Sequence, residues 1–161
     1  MQPAASNLGT DELNRDSILV VDDDISILKV IRMRLDAEGY RTTAAGSTRD
    51  ALKYMDEDEF DLALIDLRLG KEDGITLMEQ LHESEPDLPV VILTAHGTIE
   101  SAVEAMKRGA YSYVTKPFDY RELTLQIRNG IEKAKLIREV ERLRHIVRET
   151  RLDFEDVIGR S

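Results

Sequence analysis

Short apolar runs recur along this chain, and a helical pattern of apolar residues follows each of them. The runs that predict strands are residues 18–21, 42–45, 62–65, 90–93 and 111–115. After each run, apolar residues are spaced three or four positions apart, as on one face of a helix. We therefore predict five strands that alternate with five helices and are joined by short connections.

Strands that alternate with helices pair in parallel, because a parallel neighbour needs a crossover connection and a helix supplies it. The predicted fold is therefore α/β, a doubly wound five-stranded parallel sheet with helices on both faces and the strand order 2-1-3-4-5. In this order the first and third strands lie side by side at the point where the winding changes direction. Ligands of such sheets bind there, outside the carboxyl ends of the strands.

The fourth helix is predicted to begin after Gly97-Thr98 and to end at Gly109. Its apolar residues recur at helical spacing, which predicts that they face the core. The residues expected to point inward are Ile99, Ala102, Val103 and Met106.

The last helical pattern continues beyond the predicted sheet. Its first apolar residues, Leu123, Ile127 and Ile131, are expected to face the sheet, and Gly130, inside the pattern, predicts a bend between this segment and the next. Further apolar residues follow at spacings of four, three and four, which predicts a coiled-coil seam. An amphipathic helix packed on its own domain gives the same pattern over so short a stretch. The residues of the predicted seam are Leu136, Val140, Leu143 and Val147.

Composition limits the size and the class of the protein. With 161 residues, 42% of them hydrophobic, the chain suits one domain plus an appendage. It has no cysteine, which excludes disulfides and thiolate metal sites. Residues 1–16 are polar and lack periodicity, so we expect a mobile leader rather than a signal peptide. No apolar stretch is long enough to span a bilayer, and we expect a cytoplasmic protein without membrane contacts.

The net charge of −10 is unevenly distributed along the chain. Residues 133–151 hold seven Lys and Arg against three Glu, so the rest of the chain is more acidic than the total suggests. An acidic body repels the phosphates of nucleic acids, and we predict no direct nucleic-acid binding. We interpret the basic stretch as the solvated face of a helix.

Chemically reactive side chains stand at the carboxyl ends of four predicted strands. Because these ends meet at one edge of the sheet, three carboxylates, a hydroxyl and an ammonium group are expected to converge. Converging carboxylates repel each other, and a divalent cation that prefers oxygen ligands relieves the repulsion, so Mg²⁺ suits this site. The residues are Asp22, Asp23, Asp66, Thr94 and Lys116.

This set of side chains fits phosphoryl transfer. A carboxylate attacks phosphorus without a separate general base and gives an acyl phosphate, while cationic groups neutralise the phosphoryl oxygens. Asp66 is predicted to be the nucleophile, because it lies between the predicted metal-binding pair and Lys116. The chain lacks the G-x-x-x-x-G-K-[ST] pattern, which excludes phosphate binding by a P-loop.

Together these residues resemble the receiver domain of two-component response regulators over residues 17–133. The resemblance implies a flavodoxin-like sheet and a regulatory domain that is not an enzyme. It also implies that a histidine kinase supplies the phosphate for Asp66. The motifs that carry the resemblance are Val21-Asp22-Asp23, Asp66, Asp73-Gly74, Thr94-Ala95, Tyr113 and Lys116-Pro117-Phe118.

By this resemblance, the ligands of Mg²⁺ are the carboxylates of Asp22, Asp23 and Asp66 together with the backbone carbonyl of Arg68. The chain departs from the family at Gly70, where the family usually has proline. Glycine lets a loop sample more conformations, so this departure bears on the order of the loop and on the metal affinity.

The resemblance also assigns the residues that bind phosphate and respond to it. Thr94, Ala95 and Lys116 would bind the phosphate. Thr94 and Tyr113 would form a switch pair, in which the hydroxyl moves toward the phosphate while the aromatic ring turns inward. His96, like Arg68, occupies a position that in this family influences the lifetime of the phosphate, and it is equally compatible with an ordinary loop histidine.

The end of the chain resembles nitrogen-regulation-type activators that work with sigma-54 polymerase. In those proteins an F-x-x-I-I-G-x-S stretch begins an AAA+ ATPase domain, and residues 154–161 have the sequence FEDVIGRS. The resemblance implies a receiver domain at 17–133, a coiled-coil linker at 134–152 and the start of a truncated AAA+ domain at 153–161. It further implies a homodimer through the predicted seam, which controls the assembly of the AAA+ domain.

Two alternatives to a phosphorylation switch stay open. An aspartate-nucleophile phosphohydrolase uses the same chemistry, but such enzymes place the nucleophile in a D-x-D-x-[TV] motif that residues 22–26 match poorly. A receiver that serves only as a constitutive dimerisation module would need no phosphate. Repeated turnover of acetyl phosphate would indicate the first alternative, and an oligomeric state indifferent to Asp66→Asn would indicate the second.

Overall fold

The computed structural model describes residues 15–159, and its centre is a five-stranded parallel sheet in the order β2-β1-β3-β6-β7. This confirms the predicted α/β class and strand order. A two-stranded hairpin, β4–β5, interrupts the loop after β3 and was not predicted. The strands are β1 Ser17–Val21, β2 Arg41–Ala45, β3 Leu62–Asp66, β4 Arg68–Leu69, β5 Glu72–Asp73, β6 Val90–Thr94 and β7 Ser112–Thr115.

Helices connect the strands of the sheet, and short polar side chains cap four of them. Asp24, Ser47, Asp73 and Thr98 each accept a hydrogen bond from a backbone N–H of the first helical turn, which would otherwise lack a partner. The helices are α1 Ile25–Ala37, α2 Thr48–Glu57, α3 Gly74–Ser84, α4 Ile99–Lys107 and α5 Tyr120–Gly159.

The sheet has an apolar core on each face, because successive strand residues point to opposite sides. Leu19, Ile65 and Ile92 point to the face that α2 and α3 cover. Leu64 and Leu93 point to the other face, against α1 and α5. All five side chains are fully buried. The two layers of helices leave the carboxyl ends of the central strands as the place for polar chemistry.

The predicted inward face of α4 is wrong at three of its four positions. Ile99 is 85% exposed, and Val103 and Met106 are each 47% exposed. The helix instead lies against the sheet through Ala105, which is fully buried, and Ala102, which is half-buried. Small side chains allow a helix to approach the sheet closely at its edge strand, so the large apolar residues are turned toward solvent.

The first part of α5 follows the prediction, since Leu123, Ile127 and Ile131 are buried against the sheet. The helix continues through Gly130, which is itself buried, and does not end or restart there. From residue 135 onward every described residue of α5 is exposed. No helix in residues 15–159 combines the length and the apolar character that crossing a membrane requires.

The remaining boundary predictions concern the ends of the chain. Most of the predicted leader lies outside the described residues, as do Arg160 and Ser161. Within the described part, residues 134–159 form one uninterrupted helix with the preceding segment. The boundaries at 133 and 152 therefore stay predictions.

Candidate functional site

The register of the parallel sheet brings the predicted site residues to one edge. Asp22 follows β1, whose last residue Val21 pairs with Ile65, the neighbour of Asp66 in β3. Thr94 ends β6 and pairs with Thr115. Lys116 directly follows Thr115, so its side chain starts from the same edge. The sequence prediction that these strand ends converge is confirmed by the register.

Lys116 is paired with two buried carboxylates. Its Nζ donates a hydrogen bond to Asp22 Oδ2 at 2.9 Å and lies 3.4 Å from Asp66 Oδ2. Asp22 is 1% exposed and Asp66 is 9% exposed. Burial alone would lower the pKa of Lys116, but the hydrogen bond and the charge of Asp22, with the charge of Asp66, outweigh it and raise that pKa. Lys116 is therefore a fixed positive charge at neutral pH.

Asp66 lies in the opposite electrostatic situation. Burial and the negative charge of Asp22 raise the pKa of its carboxyl group, while Lys116 and a hydrogen bond from the Arg68 backbone partly oppose the rise. The site thus holds more negative charge than its lysine neutralises. Such a carboxylate gains stability when a further cation arrives.

A metal ion fits the acidic side of this site. Asp22, Asp23 and Asp66 each offer an oxygen atom, and these three atoms lie within 4.8 Å of one another. Carboxylate oxygens in a group of this size are the ligands that Mg²⁺ accepts, with water completing its coordination. The structure brings together all three predicted carboxylate ligands. The role of the Arg68 carbonyl stays a prediction.

Thr94 and Tyr113, the predicted switch pair, have separate hydrogen-bond partners. Thr94 is 3% exposed, and its Oγ1 accepts a hydrogen bond from the His96 backbone N–H at 3.1 Å. The half-buried Tyr113 hydroxyl lies 2.6 Å from Ser101 Oγ, and either atom is able to donate. Ala95 and His96 are exposed beside Thr94.

Ser101 is a site-adjacent residue that the sequence analysis missed. It is the third residue of α4 and forms a reciprocal capping box with Thr98. The T-x-x-S spacing is a signal for such a cap, but nothing in it indicates the contact with Tyr113. Through Ser101 the tyrosine is connected to the start of α4.

Asp73 and Gly74, the acidic residue and glycine of the family motif, shape the loop after Asp66. Asp73 caps α3, and the Gly74 N–H donates to the Leu67 carbonyl at 2.7 Å. A Cβ atom on Gly74 would lie only 2.1 Å from the Asp66 carbonyl oxygen. Only glycine therefore lets the chain pass this close to the backbone of Asp66.

The loop between Asp66 and Gly74 contains the second feature that the sequence analysis missed. Arg68 and Asp73 pair across the β4–β5 hairpin, and Gly70 at its tip has φ +64°. The Gly70 N–H donates to Asp23 Oδ2 at 3.0 Å. The structure closes this loop with the hairpin and attaches it to a site carboxylate, at the glycine for which the sequence left the order of the loop open.

This fold places an aspartate at the end of β3 beside a paired lysine and two further carboxylates, an arrangement suited to phosphoryl chemistry. Residues 18–128 match the family model described as "Response regulator receiver domain". The chain belongs to the response-regulator receiver domain family, as its motifs had indicated.

Relatives and solved structures support the same assignment. The chain is 38% identical over 117 residues to the "Transcriptional regulatory protein GlrR" of Escherichia coli (strain K12), which covers 73% of this chain and 26% of that protein. It matches a crystal structure of NtrX from Brucella abortus with a TM-score of 0.77 and 37% identity, over 80% of this chain and 30% of that one.

An isolated receiver domain gives a similar result. The crystal structure of a CheY-like receiver domain protein from Methanospirillum hungatei JF-1 matches with a TM-score of 0.72 and 30% identity, over 75% of this chain and 97% of that one. The chain spans about a quarter of the length of GlrR. The comparisons therefore cover almost all of an isolated receiver domain but less than a third of the longer regulators.

Proposed function

We propose that this receiver domain is a phosphorylation switch of a two-component system, in which Asp66 accepts a phosphoryl group from a histidine kinase. The observation that carries the proposal is the buried Asp66 carboxylate, which shares Lys116 with Asp22 and belongs to a group of three carboxylates able to hold a metal ion. Family membership supports it, since receiver domains are regulatory phosphoacceptors. The domain is proposed to act as a switch and not as an enzyme.

The chemistry follows from the positions of the side chains. An Asp66 oxygen attacks phosphorus, a P–O bond forms, and the P–N bond to the kinase histidine breaks. Lys116 and Thr94, with Ala95 beside it, would bind the oxygens of the new acyl phosphate. A carboxylate carries no proton, so it needs no separate base to activate it as a nucleophile.

The acidic group fits Mg²⁺ as the cofactor of this reaction. Asp22, Asp23 and Asp66 would hold the ion, with the Arg68 carbonyl as a fourth protein ligand. When bound, Mg²⁺ supplies positive charge that offsets the carboxylates and the phosphoryl oxygens. Lys116 keeps Asp22 and Asp66 close together in its absence.

We propose that the switch passes from Thr94 and Tyr113 to the surface formed by α4, β7 and α5. A phosphoryl group on Asp66 would offer oxygens to which the Thr94 hydroxyl donates, and movement of the hydroxyl toward them would disturb the hydrogen bond that its Oγ1 accepts from the His96 N–H. The space that Thr94 vacates would admit the Tyr113 ring. Any movement of Tyr113 acts on α4, because its hydroxyl is bonded to Ser101.

We propose that in the full-length protein this output controls a sigma-54-type activator. GlrR is named as a transcriptional regulatory protein and is about four times as long as the matched segment, which supports an effector beyond the receiver. In this proposal residues 134–152 are a coiled-coil linker and residues 153–161 begin an AAA+ domain. Two chains pair through a seam whose residues are exposed in the single chain: Leu136, Val140, Leu143 and Val147.

Phosphorylation by acetyl phosphate in the presence of Mg²⁺ tests the proposed function. We expect one phosphoryl group per chain, detected by intact-protein mass spectrometry, and its slow loss after the donor is removed. Asp66→Asn should abolish the adduct, whereas Asp87→Asn, a change at an exposed aspartate away from the site, should leave it unchanged.

Two outcomes would contradict the proposal. An adduct that persists in Asp66→Asn would place the phosphoacceptor elsewhere. Release of many equivalents of inorganic phosphate per chain would indicate the phosphohydrolase alternative. Sedimentation of the wild type and Asp66→Asn with and without acetyl phosphate also separates the switch from a constitutive dimerisation module, which would not respond.

A further inference from the structure

Gly70 lies in a two-residue hairpin loop that requires an unusual backbone conformation. Leu69 of β4 pairs with Glu72 of β5, which leaves Gly70 and Lys71 to connect them. Two-residue loops of this kind need a positive φ at their first residue, and glycine supplies it without steric strain. Gly70 has φ +64°, and no non-glycine residue of the described chain has a positive φ.

This loop makes a hydrogen bond across the site to a residue far away in sequence. The Gly70 N–H donates to Asp23 Oδ2 at 3.0 Å, over a separation of 47 residues. A backbone amide in a closed hairpin is a rigid donor, unlike the end of a long side chain. The bond therefore fixes the Asp23 carboxylate relative to the loop that follows Asp66.

Asp23 needs this support more than the other two carboxylates do. Asp22 is buried and holds both the Lys116 ammonium and the Asp24 N–H. Asp66 is buried at the end of β3 and is also close to Lys116. Asp23 is exposed, so packing does not select one rotamer for its side chain. A contact with the opposite loop is what orients it.

We infer that Gly70 is a positioning residue for metal binding in this chain, whose N–H holds the Asp23 carboxylate beside the other two predicted ligands and so strengthens Mg²⁺ binding. The inference rests on the proposed function, because it assigns a role at the same metal site. Proline has no N–H to donate, and its φ of about −65° cannot reproduce the conformation of Gly70.

Metal binding by a set of variants tests this inference. Isothermal titration of the whole chain with Mg²⁺ should show that Gly70→Pro binds roughly tenfold more weakly than the wild type, the range expected for losing a hydrogen bond to a charged group. Gly70→Asn is the matched control, because asparagine keeps the N–H and is common in such loops. We expect its affinity to stay closer to that of the wild type than the affinity of Gly70→Pro does, because asparagine tolerates a positive φ better than most residues.

A double-variant cycle separates positioning of Asp23 from a general disturbance of the loop. If Gly70 acts through Asp23, adding Gly70→Pro to Asp23→Ala should cause no further loss of affinity. Thermal unfolding with EDTA checks that each variant is folded without the metal. Neither the Mg²⁺ titration nor the unfolding measurement depends on phosphorylation of the chain.

Each outcome of the experiment has a defined meaning. If the wild type binds Mg²⁺ and Gly70→Pro binds it equally well, the inference is overturned and the proposed function stands. A tenfold loss that persists in the Asp23→Ala background also overturns it. A wild type that does not bind Mg²⁺ overturns the proposed metal site and this inference with it.

Discussion

The two halves of α5 both carry apolar residues at helical spacing, but their surroundings are opposite. Between Tyr120 and Ala134 the apolar face is buried against the sheet, with Leu123 and Ile127 fully inaccessible. From residue 135 onward the helix is exposed, and Leu136 and Val147 are each 64% exposed. Apolar spacing therefore determines which face of a helix is available to a partner, and not whether its own domain supplies that partner.

The charges of the two regions differ in the same way. In the body, Lys116 and Asp22 are paired in a buried site. In the exposed half of α5, Arg142 and Glu139 pair one helical turn apart, with both side chains at least half exposed. Buried pairs respond strongly to the loss of one member, whereas solvated pairs contribute little. Substitutions in the two regions should therefore have different consequences for the free energy of unfolding.

Truncating one apolar residue in each half of α5 should give the largest difference between the two halves. Ile127→Ala removes a fully buried side chain and is expected to lower the free energy of unfolding by about 2–5 kcal/mol. Leu143→Ala removes a side chain that is 48% exposed in the single chain, so the unfolding of dilute protein should change by less than about 0.5 kcal/mol. Urea denaturation at low protein concentration measures both.

The same Leu143→Ala variant tests the proposed seam. Sedimentation at high micromolar concentration should show weaker self-association than in the wild type, while Ile146→Ala, on a residue outside the seam, should have a smaller effect. A wild type that stays monomeric at this concentration, with and without a phosphate mimic, would contradict the dimer. A stability loss for Leu143→Ala as large as that for Ile127→Ala would show instead that the extension packs on its own domain.

Neutralising Asp66 should stabilise the body in a pH-dependent way. The pKa of Asp66 is raised by burial and by Asp22, so the folded state binds its proton more readily than the unfolded state. The stability that this carboxyl contributes is therefore fully present below the ordinary aspartate pKa of about 3.9 and is lost as the pH rises through the folded value. Asp66→Asn should raise the free energy of unfolding at neutral pH without Mg²⁺ by about 0.5–2 kcal/mol.

The difference between Asp66→Asn and the wild type should shrink as the pH falls toward 4. Asp87→Asn, in which an exposed carboxylate is replaced, is the control and should show no comparable gain at neutral pH. If Asp66→Asn is instead less stable than the wild type at neutral pH, the attraction between Lys116 and this carboxylate outweighs the cost of burying it and its repulsion from Asp22. Differential scanning calorimetry across this pH range measures the effect.

The strand-end residues were predictable because a buried parallel strand is a continuous apolar run and the topology fixes where it ends. Those two facts were enough to predict the positions of Asp22, Asp66, Thr94 and Lys116. The inward face of α4 was predicted wrongly because Ile99 has the spacing of a core residue, whereas small residues decide how closely the helix approaches the sheet edge. The apolar spacing of a helix shows which residues are hydrophobic, but not how closely the helix approaches the sheet.

Two features of the site had no sequence signal of this kind. The strands β4 and β5 have two residues each, too few to show any period. The contact between Gly70 and Asp23 uses a backbone N–H, which every residue except proline has, so only the folded loop reveals it. The contact between Ser101 and Tyr113 likewise joins a capping hydroxyl to a strand residue that only the packing of α4 brings near.

The smallest expected effect concerns α5 at the point where the half covered by the sheet, up to Ala134, meets the uncovered half from residue 135 onward. Lys135 Nζ lies 2.7 Å from Asp16 Oδ1 and so ties the first exposed turn of α5 to the chain segment before β1. The lysine side chain is 53% exposed, so the pair should contribute only about 0.2–1 kcal/mol, and Lys135→Ala should lower the free energy of unfolding by no more than this. Salt should reduce the difference, since solvated charges are screened over about 8–10 Å at physiological ionic strength.

Arg142→Ala, which breaks a pair within the uncovered half, is the control and should leave the free energy of unfolding of the body unchanged. Hydrogen exchange of residues 131–136 should rise only in Lys135→Ala. Equal exchange in both variants would show that packing of Ile131 and Ala134 alone sets the end of the covered half.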